Sequence, residues 1–568
     1  MNRTLLDVLL SHPFVSPEQI GALLLWHPNA VRNELAELEQ ENLVACVNPR
    51  SPDVGARALY YPTRRAVYEY ANEAQRAECS GARLLHLWLL IERLYRVRNV
   101  LLTLPLAFHV QEWLVERALL YPRGKRMLQW NAHGIARIQD ARGESLVLIE
   151  WDTGALAYDR ARMARYADWF RSYNARPTNQ TLPVHFLMLA RDLVSLLHYY
   201  ASLRAAAQAR RIEMPSAFFA SQREWFQHGS DAPIWYATLT GRKSKLLEDA
   251  TVSRFRSDTP LKELLQLAPL RGAQTTIGFE EMRASSLNAT TLDSLAVCKR
   301  ELSREAKRVL AEIGAHPLLS PIEISVVIQD ALWRVRGALH ELQRHALVDP
   351  IARENETRFV LSTRGMAYLA AVHGFRQTPR RYLKARGWMR GMNGLVHFHT
   401  HTQLANAFML QVARVARGRN ARFEWRSELE SFLYYRAQGR RWSFRPDALC
   451  FYQEGQLRLQ CALEIERHRA SRASIERKLI AYQAYLESAL YRLSQSEQFR
   501  VWMVVTSWQH AERVRTCLLQ LARSRAAPVL PVWLTTFDLM RERGVAYPIW
   551  RRADTWQRCH CIESWNEE

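Results

Sequence analysis

The sequence contains little lysine and little cysteine, and it has no long apolar run. Only eight of the 78 lysines and arginines are lysines, so arginine carries nearly all the positive charge of this 568-residue chain. Eight cysteines are too few for a disulfide framework in so long a chain, and we expect reduced thiols. No apolar segment approaches the roughly 18 residues of a membrane-spanning helix, and the N-terminus does not resemble an export signal. We therefore expect a cytoplasmic protein with no membrane partner.

Motifs for nucleotide chemistry are missing as well. The sequence has neither a G-x-x-x-x-G-K-[ST] loop nor a G-x-G-x-x-G turn, which argues against nucleotide hydrolysis and a dinucleotide cofactor. Acidic residues are in the minority, since the formal net charge is +22 and the isoelectric point is about 9.9. A cationic excess of this size favours a polyanionic partner, and we expect double-stranded DNA. The codon bias of a GC-rich genome would account for the arginines equally well.

The N-terminal segment recurs in the second half of the chain. SHPFVSPEQI (11–20) aligns with AHPLLSPIEI (315–324), and the same offset aligns VRNELAELEQENLV (31–44) with VRGALHELQRHALV (335–348) without a gap. Such a match indicates an internal duplication.

Each copy is typical of a winged helix-turn-helix. Ser16 and Ser320 are placed as N-caps before a proline, and a second amphipathic helix and a basic loop between short strands follow. The loops span 48–57 and 351–358 and would form the wings. Wings and recognition helices contact DNA, and the expected contacts are Arg32, Asn33, Arg50, Arg57, Arg334, Arg336, Arg353 and Arg358. Winged helices also serve protein contacts, and that alternative stays open.

The repeat continues into an α/β segment. HGIARIQDARGESLVLIEWDTG (133–154) aligns with PDALCFYQEGQLRLQCALEIER (446–467), and both halves end on Pro-Ile-Trp. The expected fold class is α/β (α+β), with two winged helix-turn-helix domains alternating with two restriction-endonuclease-like α/β domains. The predicted boundaries are 1–75, winged helix 1; 76–245, α/β domain 1; 246–300, linker; 301–375, winged helix 2; 376–558, α/β domain 2; and 559–568, tail.

Acidic residues cluster at the end of a predicted strand in the second α/β segment. Glu464 and Glu466 are two residues apart and so lie on one side of a strand, and Asp447 follows Pro446 upstream. Carboxylates of this kind hold Mg²⁺ in DNA hydrolysis. Salt bridges between the two glutamates and nearby arginines are the alternative.

This pattern resembles the PD-(D/E)xK nuclease superfamily. Pro446, Asp447 and Glu464 match, whereas Glu466 stands where a lysine belongs. Some members draw the lysine from the next helix, and Lys478 is placed for that role. The resemblance implies Asp447 and Glu464 as metal ligands, with Glu466 and Lys478 completing a catalytic set.

The first half carries a degenerate version of the site. Its acids are Glu150 and Asp152, Arg162 replaces the lysine, and His133-Gly134 replaces Pro-Asp. An arginine stays protonated and cannot act as a base. We expect the first α/β domain to be inactive.

The order of motifs also resembles the replication-relaxation family of plasmids and mobile elements. It comprises an N-terminal winged helix, His401-x-x-Leu404-x-Asn406, Pro446-Asp447, Glu464-x-Glu466, and Lys478 with Tyr482. The resemblance implies DNA binding in replication or mobilisation, with protein partners in such a complex.

Three functions therefore remain. The leading prediction is a non-enzymatic protein that binds double-stranded DNA without a cofactor, as a monomer whose two winged helices act as a pseudo-dimer. The alternatives are a Mg²⁺-dependent endonuclease and a protein-interaction adaptor or transcriptional regulator.

Overall fold

The computed structural model describes most of the chain. The described residues are 3–51, 54–55, 57–104, 109–123, 126–140, 143–152, 156–177, 181–238, 243–248, 260–265, 267, 290–353, 356–374, 399–428, 430–467, 471–488, 491 and 498–562. Two compact units make up the chain. The first comprises residues 1–307, 344–346 and 363–382, and the second comprises 308–343, 347–362 and 383–568.

Three helices and a hairpin begin the first unit. They are α1 (Arg3–Ser11), α2 (Pro17–Leu24), α3 (Pro28–Gln40), β1 (Val44–Val47) and β2 (Leu59–Pro62). The predicted capping box is confirmed, because Ser16 Oγ accepts the backbone N–H of Gln19 and the Gln19 side chain accepts that of Ser16. Pro17 takes the first helical position, where a missing N–H leaves no bond unmade. The cap and the proline together fix where α2 begins.

A seven-stranded mixed sheet and further helices follow in the first unit. Its helices are α4 (Arg64–Tyr70), α5 (Glu73–Glu78), α6 (Gly81–Leu89), α7 (Ile91–Leu102), α8 (Leu156–Asn174), α9 (Leu193–Arg210), α10 (Gln222–His228), α11 (Leu261–Leu264) and α12 (Leu292–Glu301). Its strands, in sheet order, are β3 (His109–Arg123), β4 (Arg126–Asp140), β5 (Gly143–Trp151), β6 (Val184–Ala190), β7 (Ala217–Ser221), β8 (Trp235–Ala237) and β9 (Lys243–Ser244). Only the β5–β6 and β6–β7 pairs of this sheet are parallel.

Part of the expected linker, residues 246–300, is regular structure. Helix α12 lies in this stretch, and Leu295 and Val297 are buried. The buried amine of Lys299 donates to the carbonyl of Leu89 at 2.8 Å and pairs with Glu92. The polar composition of the stretch concealed a helix that packs on α6.

The second unit begins with the second copy of the helices and hairpin. It contains α13 (Arg304–Ala315) from residue 308, α14 (Pro321–Ile328), α15 (Leu332–Arg344) up to residue 343, β10 (Val348–Arg353) and β11 (Glu356–Leu361). Ser320 and Glu323 form the second predicted capping box, which is confirmed, with Pro321 at the first helical position. The next helix, α16 (Thr363–Val372), belongs to the first unit and packs against α12.

A second mixed sheet and further helices complete the second unit. Its helices are α17 (His399–Gly418), α18 (Arg472–Leu486), α19 (Trp508–Arg525) and α20 (Phe537–Arg543). The sheet consists of β12 (Arg422–Ser427), β15 (Ala448–Glu454), β16 (Leu457–Glu466), β17 (Gln498–Val505), β18 (Val532–Thr536), β19 (Trp550–Arg552) and β20 (Arg558–Cys559), in that order, and a separate hairpin pairs β13 (Leu433–Ala437) with β14 (Arg440–Phe444). Only the β16–β17 and β17–β18 pairs of the sheet are parallel.

Most cysteines lie inside the protein. Seven of the eight are buried and Cys46 on β1 is exposed. Cys450 on β15 lies directly opposite Cys461 on β16, and both are in the core of the second sheet with Trp502 and Trp533. Cys559 and Cys561 belong to the same core, so the first residues of the expected tail are part of the folded unit. No helix among the described residues is long and apolar enough to span a bilayer.

Candidate functional site

Asp447 and Glu464 come from adjacent strands of the second sheet. Asp447 immediately precedes β15, and its backbone N–H donates to the carbonyl of Leu463 at 2.9 Å. Its carboxylate accepts the backbone N–H of Ile465 at 2.6 Å. Glu464 and Glu466 end β16 and lie on one side of the strand, because side chains alternate along it. The antiparallel pairing of β15 and β16 therefore positions the acidic residues at one end of the hairpin.

Lys478 joins the two glutamates. It lies on α18, and its Nζ is 2.6 Å from Glu464 Oε2 and 2.5 Å from Glu466 Oε1. The hydroxyl of Tyr482, one turn further along the helix, donates to the other oxygen of Glu464. Both glutamates are nearly buried, whereas 38% of the lysine side chain is exposed. One amine thus faces two buried carboxylates and solvent at the same time.

Burial sets the electrostatics of this cluster. It raises the pKa of Glu464 to about 7, against the attraction of Lys478 and with the added repulsion of Asp447. Burial opposes the charge of Lys478 too, but Glu464 and Glu466 outweigh it and raise the pKa of the amine above its ordinary value. Burial and the charge of Glu464 also raise the pKa of Tyr482, so the phenol stays neutral and acts as a donor. The lysine is the firmly charged member of the cluster.

His401, named from the sequence only as part of the family motif, belongs to this site. It lies in the first turn of α17, and its Nε2 is 2.8 Å from Asp447 Oδ1. Burial opposes the imidazolium, but the hydrogen bond and charge of Asp447, with the charge of Glu428, raise the pKa of His401 above its ordinary value. His397, two residues before His399, lies outside the described residues. His399 and His401 begin a helix and do not lie on a strand.

The other members of that motif have structural contacts. Asn406 is buried and donates to the carbonyl of Pro317 at 3.0 Å, and Leu404 packs on the core of the sheet. Glu430 is buried in a turn between β12 and β13. The motif therefore positions α17 and points one histidine at Asp447.

The acidic residues of this cluster offer few ligands for a metal ion. Mg²⁺ is often held by one or two carboxylates with waters and phosphate oxygens, and Asp447 and Glu464 supply two. In the part of the chain that the structure describes, no three His, Cys, Asp or Glu side chains are arranged to hold a metal ion. The residues fit a two-carboxylate Mg²⁺ site at most, and both carboxylates already have hydrogen-bond partners.

The counterpart site in the first unit is closed. Arg162 Nε is 2.6 Å from Glu150 Oε2, and His133 Nδ1 is 3.1 Å from the same oxygen. Asp152 accepts the hydroxyl of Tyr199 at 2.9 Å and the backbone N–H of Arg191 at 3.0 Å. Every acidic group of this cluster is held by a donor from the protein.

Gly134, which aligns with Asp447, has no space beside it for a side chain. A Cβ at this position would lie 2.6 Å from Val97 Cγ1 and 3.3 Å from Ile149 Cβ. Helix α7, which carries Val97, occupies the space that an aspartate side chain needs. Substitution here would require repacking of α7 as well as a change of chemistry.

The predicted DNA-binding residues of the first copy are exposed, but some are engaged. Arg32 on α3 pairs with Glu18 on α2 at 2.5 Å, and Asn33 beside it is exposed. Arg50 is exposed, and the exposed Arg57 donates to the carbonyl of Val54 at 3.4 Å. Three of these four residues therefore lie in exposed positions with open or weak contacts.

In the second copy, the predicted DNA-binding arginines differ in their exposure to solvent. Arg334 and Arg336 are exposed on α15, and Arg334 lies 3.4 Å from Asp330. Arg358 is 9% exposed and pairs with both Glu323 and Glu356 at 2.6 Å. Its guanidinium is thus committed inside the protein, and the side chain of Arg353 lies outside the described residues. Only the helix arginines of this copy face solvent in the described part.

Comparisons with known proteins gave one match. Residues 295–496 match the family model described as Replication-relaxation. No curated protein and no solved structure matches the chain. The matched segment contains His401, Asp447, Glu464 and Lys478, and the first half of the chain lies outside it. Over residues 295–496, the chain is similar to the replication-relaxation family.

Proposed function

We propose that this protein binds double-stranded DNA through helix-turn-helix segments with winged hairpins, in the replication or mobilisation of plasmids or related elements. The observation that carries the proposal is the exposed side of α15, where Arg336 and His340 lie one helical turn apart and Arg334 lies at the opposite edge of the same exposed surface. An α-helix with exposed cations on one face fits the major groove of B-DNA. The family similarity supports the biological setting.

The arrangement of elements supports the winged-helix interpretation. Each copy has three helices and an antiparallel hairpin, and the middle helix starts at a Ser-Pro cap. The two seven-stranded sheets share the same order of pairing senses. We propose that the chain arose by internal duplication, with a nuclease-like α/β domain after each winged helix. Such a chain offers two recognition helices without self-association, and other replication or mobilisation proteins are its proposed protein partners.

Titration of duplex DNA with salt tests the proposal. Affinity should fall linearly with salt concentration on a log–log scale, because each neutralised phosphate releases a counterion. The double variant Arg32→Glu/Arg336→Glu should weaken binding at least tenfold, an effect of about 1.4 kcal/mol or more. Arg523→Glu, on the exposed end of α19, is the control for altered net charge. Equal affinity of the double variant and the wild type would refute binding through these helices.

A second function is favoured by the Lys478 cluster. A Mg²⁺ ion held by Asp447 and Glu464 would supply an activated water and stabilise charge on phosphate. Lys478 would orient Glu464 and Glu466 and stabilise the phosphate that approaches its exposed side. This would make the protein a metal-dependent endonuclease.

Cleavage of supercoiled plasmid tests this second function. With Mg²⁺ or Mn²⁺, the wild type should nick the plasmid, and Asp447→Ala and Lys478→Ala should abolish nicking. Glu150→Gln, in the closed counterpart site, is the matched control and should leave it unchanged. Nicking that survives Asp447→Ala would exclude this site as the catalyst.

A further inference from the structure

We propose that the two winged helices are not equivalent, and that only the second docks its recognition helix, α15, against the bases of duplex DNA. This inference rests on the proposed function, and it assigns that function to one of the two copies. The first copy, with α3, would leave DNA binding to the second.

The charges of the two helices differ in sign. Helix α3 contains one arginine and three glutamates, whereas α15 contains three arginines and one glutamate. The phosphate backbone repels an acidic helix and attracts a basic one, and this term dominates affinity for DNA. Duplex DNA therefore fits α15 and disfavours α3.

The equivalent arginines differ in availability. Arg32 pairs with Glu18 at 2.5 Å, so its charge is partly neutralised within the protein. In the alignment of the two copies, Ile322 stands where Glu18 stands, and it is 53% exposed. Arg336 has no carboxylate partner within the part of the chain that the structure describes. The arginine of the second copy is exposed and free to meet phosphate or a guanine edge.

Trp333 gives the same helix an apolar contact surface. The side chain is 71% exposed in the first turn of α15, and the guanidinium of Arg334 lies 5.1 Å from the ring centroid. Its counterpart in the first copy is Asn29. An exposed indole beside cationic side chains fits the thymine methyl groups that line the major groove.

Gly337 leaves the outer face of α15 unusually bare. A Cβ added there would meet nothing within 4 Å, so no packing inside the protein requires glycine. Glycine in a helix interior is unfavourable relative to alanine, and Asn33 takes the equivalent position in α3. A missing side chain lets the helix backbone approach a ligand closely, as docking in the groove demands.

Matched variants of the full-length chain test the inference on a duplex pool. Arg336→Glu should weaken binding at least about tenfold and Arg32→Glu less than about twofold, since only one arginine contacts DNA. Ile322→Glu, which reproduces the neutralising carboxylate, should weaken binding, and Glu18→Ile should not. If Arg32→Glu and Arg336→Glu weaken binding equally, the inference is overturned while the proposed function stands. A wild-type chain with no affinity for duplex DNA would instead refute the proposed function itself.

Gly337→Ala separates a role in binding from a role in folding. The substitution should raise the unfolding temperature, because alanine favours the helix and meets no neighbour, and should lower affinity for the duplex by about threefold or more. Gly418→Ala, at the end of α17, where an added Cβ also meets nothing within 4 Å, is the matched control, expected to leave affinity unchanged. Unchanged affinity for Gly337→Ala would contradict close approach of α15 to DNA.

Discussion

At the scale of single residues, Lys478 is the charge on which the acidic cluster depends. Replacing it with methionine would leave Glu464 and Glu466 buried without a counterion. We expect a loss of about 1–3 kcal/mol in the free energy of unfolding, less than for a fully buried pair because the amine reaches solvent. Urea denaturation measures this loss, and Lys478→Arg, which keeps the charge, should lose less. Equal stability of wild type and Lys478→Met would show that the ion pairs contribute nothing.

The raised pKa of Glu150 predicts that the stability of the first unit depends on pH. Burial raises its pKa to about 7 from an ordinary value of 4.5, against the pull of Arg162 and Arg93 and with the repulsion of Glu116. The pKa of His133, which faces it, is lowered by burial and by Arg162, so the imidazole is neutral. The folded state then holds a proton that the unfolded state has released. The contribution of Glu150 to stability is greatest at low pH and falls as the pH rises from 4.5 to about 7.

The measurement compares wild type with Glu150→Gln. The difference between their unfolding temperatures, wild type minus variant, should decrease between about pH 5 and about pH 8. A difference that stays constant over this range would show that the folded-state pKa of Glu150 is ordinary.

The sequence identified the local features of the site but not the contacts made by tertiary packing. Two residues apart on a strand, Glu464 and Glu466 had to share a side. Lys478 was indicated by the resemblance to nucleases that draw a lysine from the next helix. The sequence offered His401 only as a motif residue, because its contact with Asp447 depends on how α17 lies on the sheet, which no local period encodes.

At the scale of elements, Arg358 holds the second hairpin against α14. Its guanidinium reaches Glu323 in the first turn of α14, Glu356 on β11 and the carbonyl of Leu318. Arg358→Met should lower the free energy of unfolding by about 1–3 kcal/mol, because Glu323 and the carbonyl lose a charged donor. The variant that remains folded should keep its affinity for DNA. Arg336→Met should do the reverse and lower the affinity for DNA while keeping the free energy of unfolding. If both variants changed the same property, Arg358 would not be structural and Arg336 would not be the DNA contact.

The first residues of α2 and α14 could be predicted from the sequence, whereas helix α12 was not predicted. The Ser-Pro caps fixed α2 and α14, since a side-chain acceptor and a proline at the first position admit few other structures. Helix α12 escaped because five of its ten residues, Asp293, Ser294, Lys299, Arg300 and Glu301, are polar or charged, and its burial comes from packing against α6 and α16.

At the scale of the whole molecule, the two seven-stranded sheets share one order of parallel and antiparallel pairs, while the two acidic sites differ. Apolar residues fill the cores of both sheets, but Gly134 beside Val97 leaves no space for an aspartate in one acidic site, whereas Asp447 contacts Ile465 and His401 in the other. Packing conserves a fold more readily than chemistry, because many apolar combinations fill a core and few arrangements hold a functional carboxylate.

The burial of the cysteines predicts how many thiols react in the native chain. A maleimide should add a single label under native conditions, at the exposed Cys46, and eight after denaturation. Mass spectrometry reads the number directly, and Cys46→Ser should remove the native label. Two or more labels without denaturant would contradict the burial of the other thiols.

The opposed thiols of Cys450 and Cys461 also allow the rate at which the sheet opens to be measured. They lie on the two strands that position Asp447 and Glu464, and neither is accessible while β15 and β16 stay paired in the core. A reagent can therefore reach them only when that hairpin opens. The rate of their modification, measured with and without DNA, would report how firmly the acidic site is held together.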